Sequence, residues 1–185
     1  MNKNKFFREY FSLMNEKISA VDHLDLFKFS KLIKSRSKSS KVIIIGNGGS
    51  AAIASHVSVD LTKVGKVKSI NFNESDLLTC YANDYGFENM YVECLRSYAD
   101  KNDILIAISS SGMSKNIINA AKFAKKKGLS VITFTGFDVK NNLKKIGHHN
   151  FWVNSKAYNI VEMTHHIWLL SVVDSIVGKT EYSSN

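Results

Sequence analysis

Two glycine- and serine-rich segments hold the residue types best suited to gripping an anion. Gly46-Asn47-Gly48-Gly49-Ser50 follows the apolar run of residues 42–45 and precedes a helical pattern, and Ser109-Ser110-Ser111-Gly112-Met113-Ser114 follows a second apolar run and precedes another helix. Glycine lets the backbone approach a ligand closely, and a helix opening directly afterwards offers unpaired N–H groups and the positive end of its dipole. The clustered hydroxyls of the second segment complete a phosphate cup, although Ser114 alone would serve equally as a helix N-cap. Either segment by itself also reads as an ordinary tight turn. Together they point to a phosphorylated ligand. Neither fits GxGxxG or contains GK[ST], so no nucleotide cofactor is expected.

A third group lies on the last helical pattern, from about residue 158 to 176. Glu162, His165 and His166 stand at i, i+3 and i+4, a spacing that puts an acid and an imidazole on one face. An imidazole with an ordinary pKa near 6.5 serves as base or metal ligand, which makes His166 a candidate for either. The alternative is that these residues make polar contacts between packed subunits. Trp168, Leu169, Leu170, Val172 and Val173 read as core or interface.

These side chains need a scaffold that brings strand ends together. Apolar runs at 42–45, 67–73, 103–108, 129–136 and 149–155 alternate with helical patterns, which predicts five parallel strands covered by helices on both faces. Ligands of such sheets bind at the carboxyl ends of the strands, where both glycine- and serine-rich segments fall. Residues 4–37 form one or two amphipathic helices, with Phe6, Phe7, Tyr10, Phe11, Met14 and Ile18 at helical spacing and a break near 20–23. The division that follows is a single domain over 1–185, with a helical extension at 1–37 and an α/β core at 38–180. The last three residues read as a frayed tail.

The chain has 185 residues, 44% of them hydrophobic, with two cysteines and no proline, so burial of apolar surface alone suffices to fold it. That composition excludes a disordered chain and a disulfide-stapled secreted scaffold. No uninterrupted apolar run approaches the ~18–20 residues of a membrane span, and the first residues lack a signal-peptide pattern, so a cytoplasmic location with no membrane partner is expected. Cys80 and Cys94 share no ligand spacing and read as buried free thiols. The 25 Lys and Arg against 16 Asp and Glu give +9, which suits an anionic partner. The lysines are scattered over helix ends and loops, and no basic recognition motif accompanies them, so nucleic acid is not the expected partner.

The segments GNGGSAAIASH, CYANDYGF (80–87) and AISSSGMSKNIINAAKFAKKKGLSVITFTG (107–136) resemble the sugar isomerase (SIS) domain family, in particular its sedoheptulose 7-phosphate isomerase, or phosphoheptose isomerase, branch. The resemblance covers most of residues 41 to 136. It implies a flavodoxin-like five-stranded fold, a homotetramer with active sites between subunits, and N-terminal helices used in assembly. The implied activity is aldose–ketose isomerisation of a sugar phosphate through an enediol. The specific expectation is conversion of sedoheptulose 7-phosphate to a D-glycero-D-manno-heptose 7-phosphate type product, for the heptose of lipopolysaccharide or capsule. The alternative is a non-catalytic sugar-phosphate sensor, or an assembly protein like the family's partner of the replication initiator DnaA.

Residue by residue, the resemblance carries substrate and phosphate binding onto Asn47, Gly48, Gly49, Ser50, Asp84, Ser109, Ser110, Ser111 and Ser114. It puts the family's histidine and glutamate on His56 and Asp60, an i, i+4 pair that shares one helix face. Zinc, common in the family, would fall to His56 and Asp60 with His165 as a further ligand. The family's glutamine, histidine and arginine fall on Val161, Leu169 and Val64, which neither bind metal nor move protons. The catalytic set expected here is therefore Asp60, Glu162 and His166.

Overall fold

Residues of a strand covered on both faces have no polar side to keep, and β1 (Val42–Ile45) and β3 (Ile104–Ser109) are buried along their whole length. The computed structural model describes residues 3–36 and 40–182. Five strands, including β2 (Ser69–Asn71), β4 (Ser130–Thr135) and β5 (His149–Trp152), form one sheet in the order β2-β1-β3-β4-β5. Every pairing is parallel. The five parallel strands are those the sequence pattern predicts, and their order is the flavodoxin-like one that the family resemblance implies.

Alternation along the strands divides the core in two. Val42, Ile44, Ile104, Ile106, Ile132 and Phe134 face α2 (His23–Arg36), α3 (Gly49–Lys63) and α7 (Tyr158–Val177). Ile43, Ile45, Leu105, Ala107 and Val131 face α5 (Met90–Tyr98) and α6 (Lys115–Lys127). Each fully buried Ile contributes roughly 1.5–3 kcal/mol relative to exposure.

The register pairs Ile44 with Ile106 and Ile45 with Ala107, so β1 ends beside Ala107 and β3 runs on two residues to Ser109. From β1 the chain crosses to β2 on one side, and beyond β3 it crosses to β4 on the other. The crevice between them is the topological switch point of the sheet, and both glycine- and serine-rich segments open onto it.

The N-terminal region is two helices, α1 (Lys3–Ser19) and α2, with the expected break. Trp168 Nε1 donates to the Ile18 carbonyl at 2.8 Å and ties α1 to α7. The face with Phe6, Phe7 and Phe11 stays exposed. By length and composition α7 is apolar enough to cross a membrane, with a hydropathy of 1.3, yet half of that window is buried inside the fold. One expectation is corrected: Cys94 is buried, but Cys80 is exposed, because α4 (Ser75–Tyr85) contributes no buried residue. The boundary proposed at 37/38 and the frayed tail at 183–185 lie outside the described residues.

Candidate functional site

The segment after β3 turns sharply because Gly112 adopts φ +66°, and the chain following β4 clamps it from outside. Gly136 N–H donates to the Ser110 carbonyl at 2.8 Å and Leu143 N–H to the Gly112 carbonyl at 3.0 Å. Ser114 occupies the N-cap position of α6, but its hydroxyl makes no capping bond. It accepts instead from Ser109 Oγ at 3.2 Å. Its oxygen is therefore turned toward the other hydroxyls and away from the helix it precedes.

The segment after β1 closes the other side. Gly48 sits at φ 53°, ψ −122°, a conformation open to glycine and costly for other residues. Buried Tyr91 donates to the Gly46 carbonyl at 2.6 Å and holds the strand end in place. Asn47 and Asn116 face each other across the crevice. Asn47 Nδ2 donates to Asn116 Oδ1 at 3.0 Å, and Asn116 Nδ2 donates to Asn47 Oδ1 at 2.8 Å.

Between the two segments is a cavity of about 110 Å³ lined by Asn47, Ser50, Ile108, Ser109, Ser110, Ser111, Ser114, Tyr158 and Glu162. It is well below the roughly 300–1,000 Å³ of sites that enclose drug-sized ligands, and it suits a small anion. A larger groove of about 510 Å³ adjoins it, sharing Asn47 and Ser114 and extending along Phe87, Glu88 and Lys115. Ser110 Oγ is buried in the cavity wall beside the Glu162 carboxyl and makes no other hydrogen bond, so its hydroxyl can turn to a ligand atom.

Tyr158 and Glu162 reach the cavity from α7, where their i, i+4 spacing puts them on one face. Tyr158 was not anticipated from sequence, although that spacing to Glu162 was there to be read. Burial pushes the Glu162 carboxyl above its ordinary 4.5, and the nearby Ser110 hydroxyl partly offsets the shift. Among the described residues Glu162 is the one carboxylate or imidazole on the cavity wall.

The other expected catalytic groups form a separate cluster farther along the helices. His56 Nε2 lies 3.3 Å from Asp60 Oδ2, and His166 Nε2 lies 2.9 Å from His56 Nδ1. A carboxylate only accepts, so His56 donates to Asp60 through Nε2 and accepts from His166 through Nδ1. At 1.5 Å per residue, Asp60 stands roughly 15 Å along α3 from Ser50, so it does not reach the cavity. Burial, and after it the neighbouring His56, hold the His166 imidazole below its ordinary pKa, with Asp60 pulling the other way.

His165 faces the opposite way. It is fully buried, its Nε2 bonds the Thr135 carbonyl at 3.0 Å, and burial lowers its pKa to about 4. It lies edge-on to Phe134 in the core, so the structure does not bring it to His56 and Asp60 as a metal ligand. The zinc donors as arranged do not fit a bound ion, since both nitrogens of His56 are taken by Asp60 and His166. Among the described residues no group of three or more His, Cys, Asp or Glu side chains is placed to hold one.

Asp84 is exposed near the end of α4, bonded to Asn83 Nδ2 at 2.9 Å, and does not line the cavity of its own chain. Val161 and Leu169 are core residues, with Val161 packed over Gly136. Val64 is the half-buried C-cap of α3.

Comparison with known proteins gives a consistent picture. The family model described as SIS domain matches residues 6–136. The chain is 32% identical over 169 residues to a phosphoheptose isomerase of Thermodesulfovibrio yellowstonii, covering 88% of this chain and 78% of that protein. It is 35% identical over 135 residues to a phosphoheptose isomerase of Histophilus somni, covering 68% of each. Among solved structures, phosphoheptose isomerase GmhA from Neisseria gonorrhoeae superposes with a TM-score of 0.85 at 25% identity, over 94% of this chain and 96% of that one.

Proposed function

The chain belongs to the SIS domain family and is related to its phosphoheptose isomerases, and from that premise we propose that it isomerises a seven-carbon ketose phosphate, sedoheptulose 7-phosphate, to the corresponding aldose phosphate. The observation that carries the reading is the pairing, in one small cavity, of a serine cup with a single desolvated carboxyl group, Glu162.

In this reading the phosphate seats on the hydroxyls of Ser109, Ser110, Ser111 and Ser114 at the N-terminus of α6, with the Ser110 hydroxyl turning from Glu162 to it. Gly48 and Gly49 bring the backbone close, and Asn47 and Ser50 meet the sugar. As a carboxylate, Glu162 takes the proton from the carbon beside the carbonyl, and the electron pair left behind forms the enediolate. The hydroxyl proton passes from the neighbouring oxygen to the former carbonyl oxygen, and the same carboxyl returns its proton to the former carbonyl carbon, so the carbonyl shifts by one carbon and no atom is gained or lost. Burial that raises the pKa of Glu162 makes its carboxylate a stronger base. Asp60 and His166, joined through His56, provide a proton path from the α7 face toward solvent and do not touch the sugar. No step is routed through zinc.

Assembly into a homotetramer belongs to the same proposal. The exposed Phe6, Phe7 and Phe11 on α1 give a neighbouring copy an apolar face, and the exposed Asp84 is free to enter a neighbour's site. The reaction is assigned to the cytoplasm, with surface-polysaccharide heptose as its product's destination.

A second reading, a sugar-phosphate sensor without turnover, is favoured by one observation. Val161 and Leu169, where the family resemblance puts polar groups, are buried in the core. Both readings meet one experiment: purified protein with sedoheptulose 7-phosphate, with and without added zinc, followed by NMR for product and for solvent exchange at the carbon next to the carbonyl. Exchange that is lost in Glu162→Gln establishes the isomerase. Binding without exchange, in either zinc condition, establishes the sensor.

A further inference from the structure

The two cavity segments come from different strands, and the contact that joins them is made by a residue outside the cup. Asn116 lies in the first turn of α6 and is 2% exposed. Its Oδ1 accepts from the Ile117 backbone N–H at 3.0 Å as well as from Asn47 Nδ2 at 3.0 Å. A backbone N–H can only donate, so Ile117 dictates which end of the Asn116 amide is oxygen. Asn116 then dictates the orientation of Asn47, because a flipped Asn47 would set oxygen against oxygen and NH₂ against NH₂.

With that pair made, Asn47 keeps one N–H and one lone pair of its amide for another partner. Asn47 lines both the 110 Å³ cavity and the 510 Å³ groove beside it, so those groups stand where a phosphorylated chain would leave the cup. We infer that Asn116 is a positioning residue for the sugar: it presents the Asn47 amide in one fixed orientation to the part of the ligand beyond the phosphate. The inference rests on the serine cup being the phosphate site. It assigns Asn116 an effect on sugar binding that it does not have on phosphate binding.

The test is calorimetric titration of the full chain with two probes, inorganic phosphate and sedoheptulose 7-phosphate, on wild type, Asn47→Ala, Asn116→Ala and the double variant. Asn116→Ala is expected to weaken sugar-phosphate binding roughly tenfold, about 1.4 kcal/mol, while inorganic phosphate binding stays within about twofold. The double variant is expected to bind the sugar phosphate no more weakly than Asn47→Ala alone, since Asn116 acts through Asn47. Equal loss for both probes, or additive losses in the double variant, overturns the inference. Wild type that binds neither probe overturns the cup itself. Should Asn116→Ala not fold, Asn116→Ser carries the same comparison.

Discussion

Gly49, the first residue of α3, and Glu162, in the second turn of α7, approach so closely that a Cβ added to Gly49 would fall on the Glu162 carboxyl oxygens. A helix start ordinarily tolerates alanine, so the demand for glycine here comes from across the crevice and not from the backbone. Gly49→Ala is expected to push the carboxyl out of place while leaving the serine cup intact. A displacement of about 1 Å at a reacting group costs on the order of 100-fold in rate. Steady-state kinetics of Gly49→Ala should show that loss in kcat, with inorganic phosphate affinity unchanged; a loss of phosphate affinity instead would mean that the whole segment had shifted.

The raised pKa of Glu162 gives a prediction for stability as well as rate. Its carboxyl holds a proton more tightly in the folded chain than in the unfolded one, so the folded state binds more protons once pH rises above the ordinary 4.5. Stability attached to this group therefore falls as pH rises through its folded pKa. Glu162→Gln removes that burden, and its Tm is expected to exceed that of wild type at pH 7 and to converge with it below pH 4.5. Turnover should meanwhile drop roughly 10²–10⁴-fold, the usual worth of a general base. A variant that lost both stability and turnover would argue for a structural role.

His165 carries the opposite sign. Its pKa of about 4 lies below the ordinary 6.5, so the unfolded chain takes up the proton first as pH falls. The stability its neutral ring contributes is whole above pH 6.5 and is lost progressively down to about pH 4. His165→Gln retains a donor for the Thr135 carbonyl and removes the titration. Thermal melts between pH 7 and pH 4 should be flatter for this variant than for wild type. Parallel curves would place the acid sensitivity elsewhere.

Local pattern carried the strands, the helices and both anion-gripping segments, because each depends on residues adjacent in the chain. What the chain order concealed was distance. His165 and His166 are neighbours in sequence, yet one is locked in the core against Phe134 and the other meets His56 near the surface. An α-helix advances 100° per residue, so a pair spaced i, i+1 points in different directions, and the spacing does not say which of them faces the core. Asp60 shares a helix with Ser50, but rise along the axis separates them. The Asn47–Asn116 pair spans 69 residues and follows from sheet order alone, and Cys80 is exposed because α4 packs on the core through Leu77, Leu78 and Tyr81 and leaves Cys80 on its outer side.

His56 and His166 bring α3 and α7 together through one hydrogen bond of 2.9 Å, with Asp60 behind it. If the chain Asp60, His56, His166 acts as a unit, the effects of removing its members cannot add. His56→Ala and His166→Ala are each expected to lower stability at pH 8, and the double variant to fall short of their sum by about 0.5–1 kcal/mol in urea unfolding. The direction of the His166 shift adds a pH dependence. Its folded pKa lies below 6.5, so the unfolded chain is protonated first and the stability it contributes is lost as pH falls below that value. His166→Ala should remove that part of the acid slope. Strict additivity at pH 8, together with an unchanged slope, would mean that the two rings merely lie side by side and that no proton path joins α7 to Asp60.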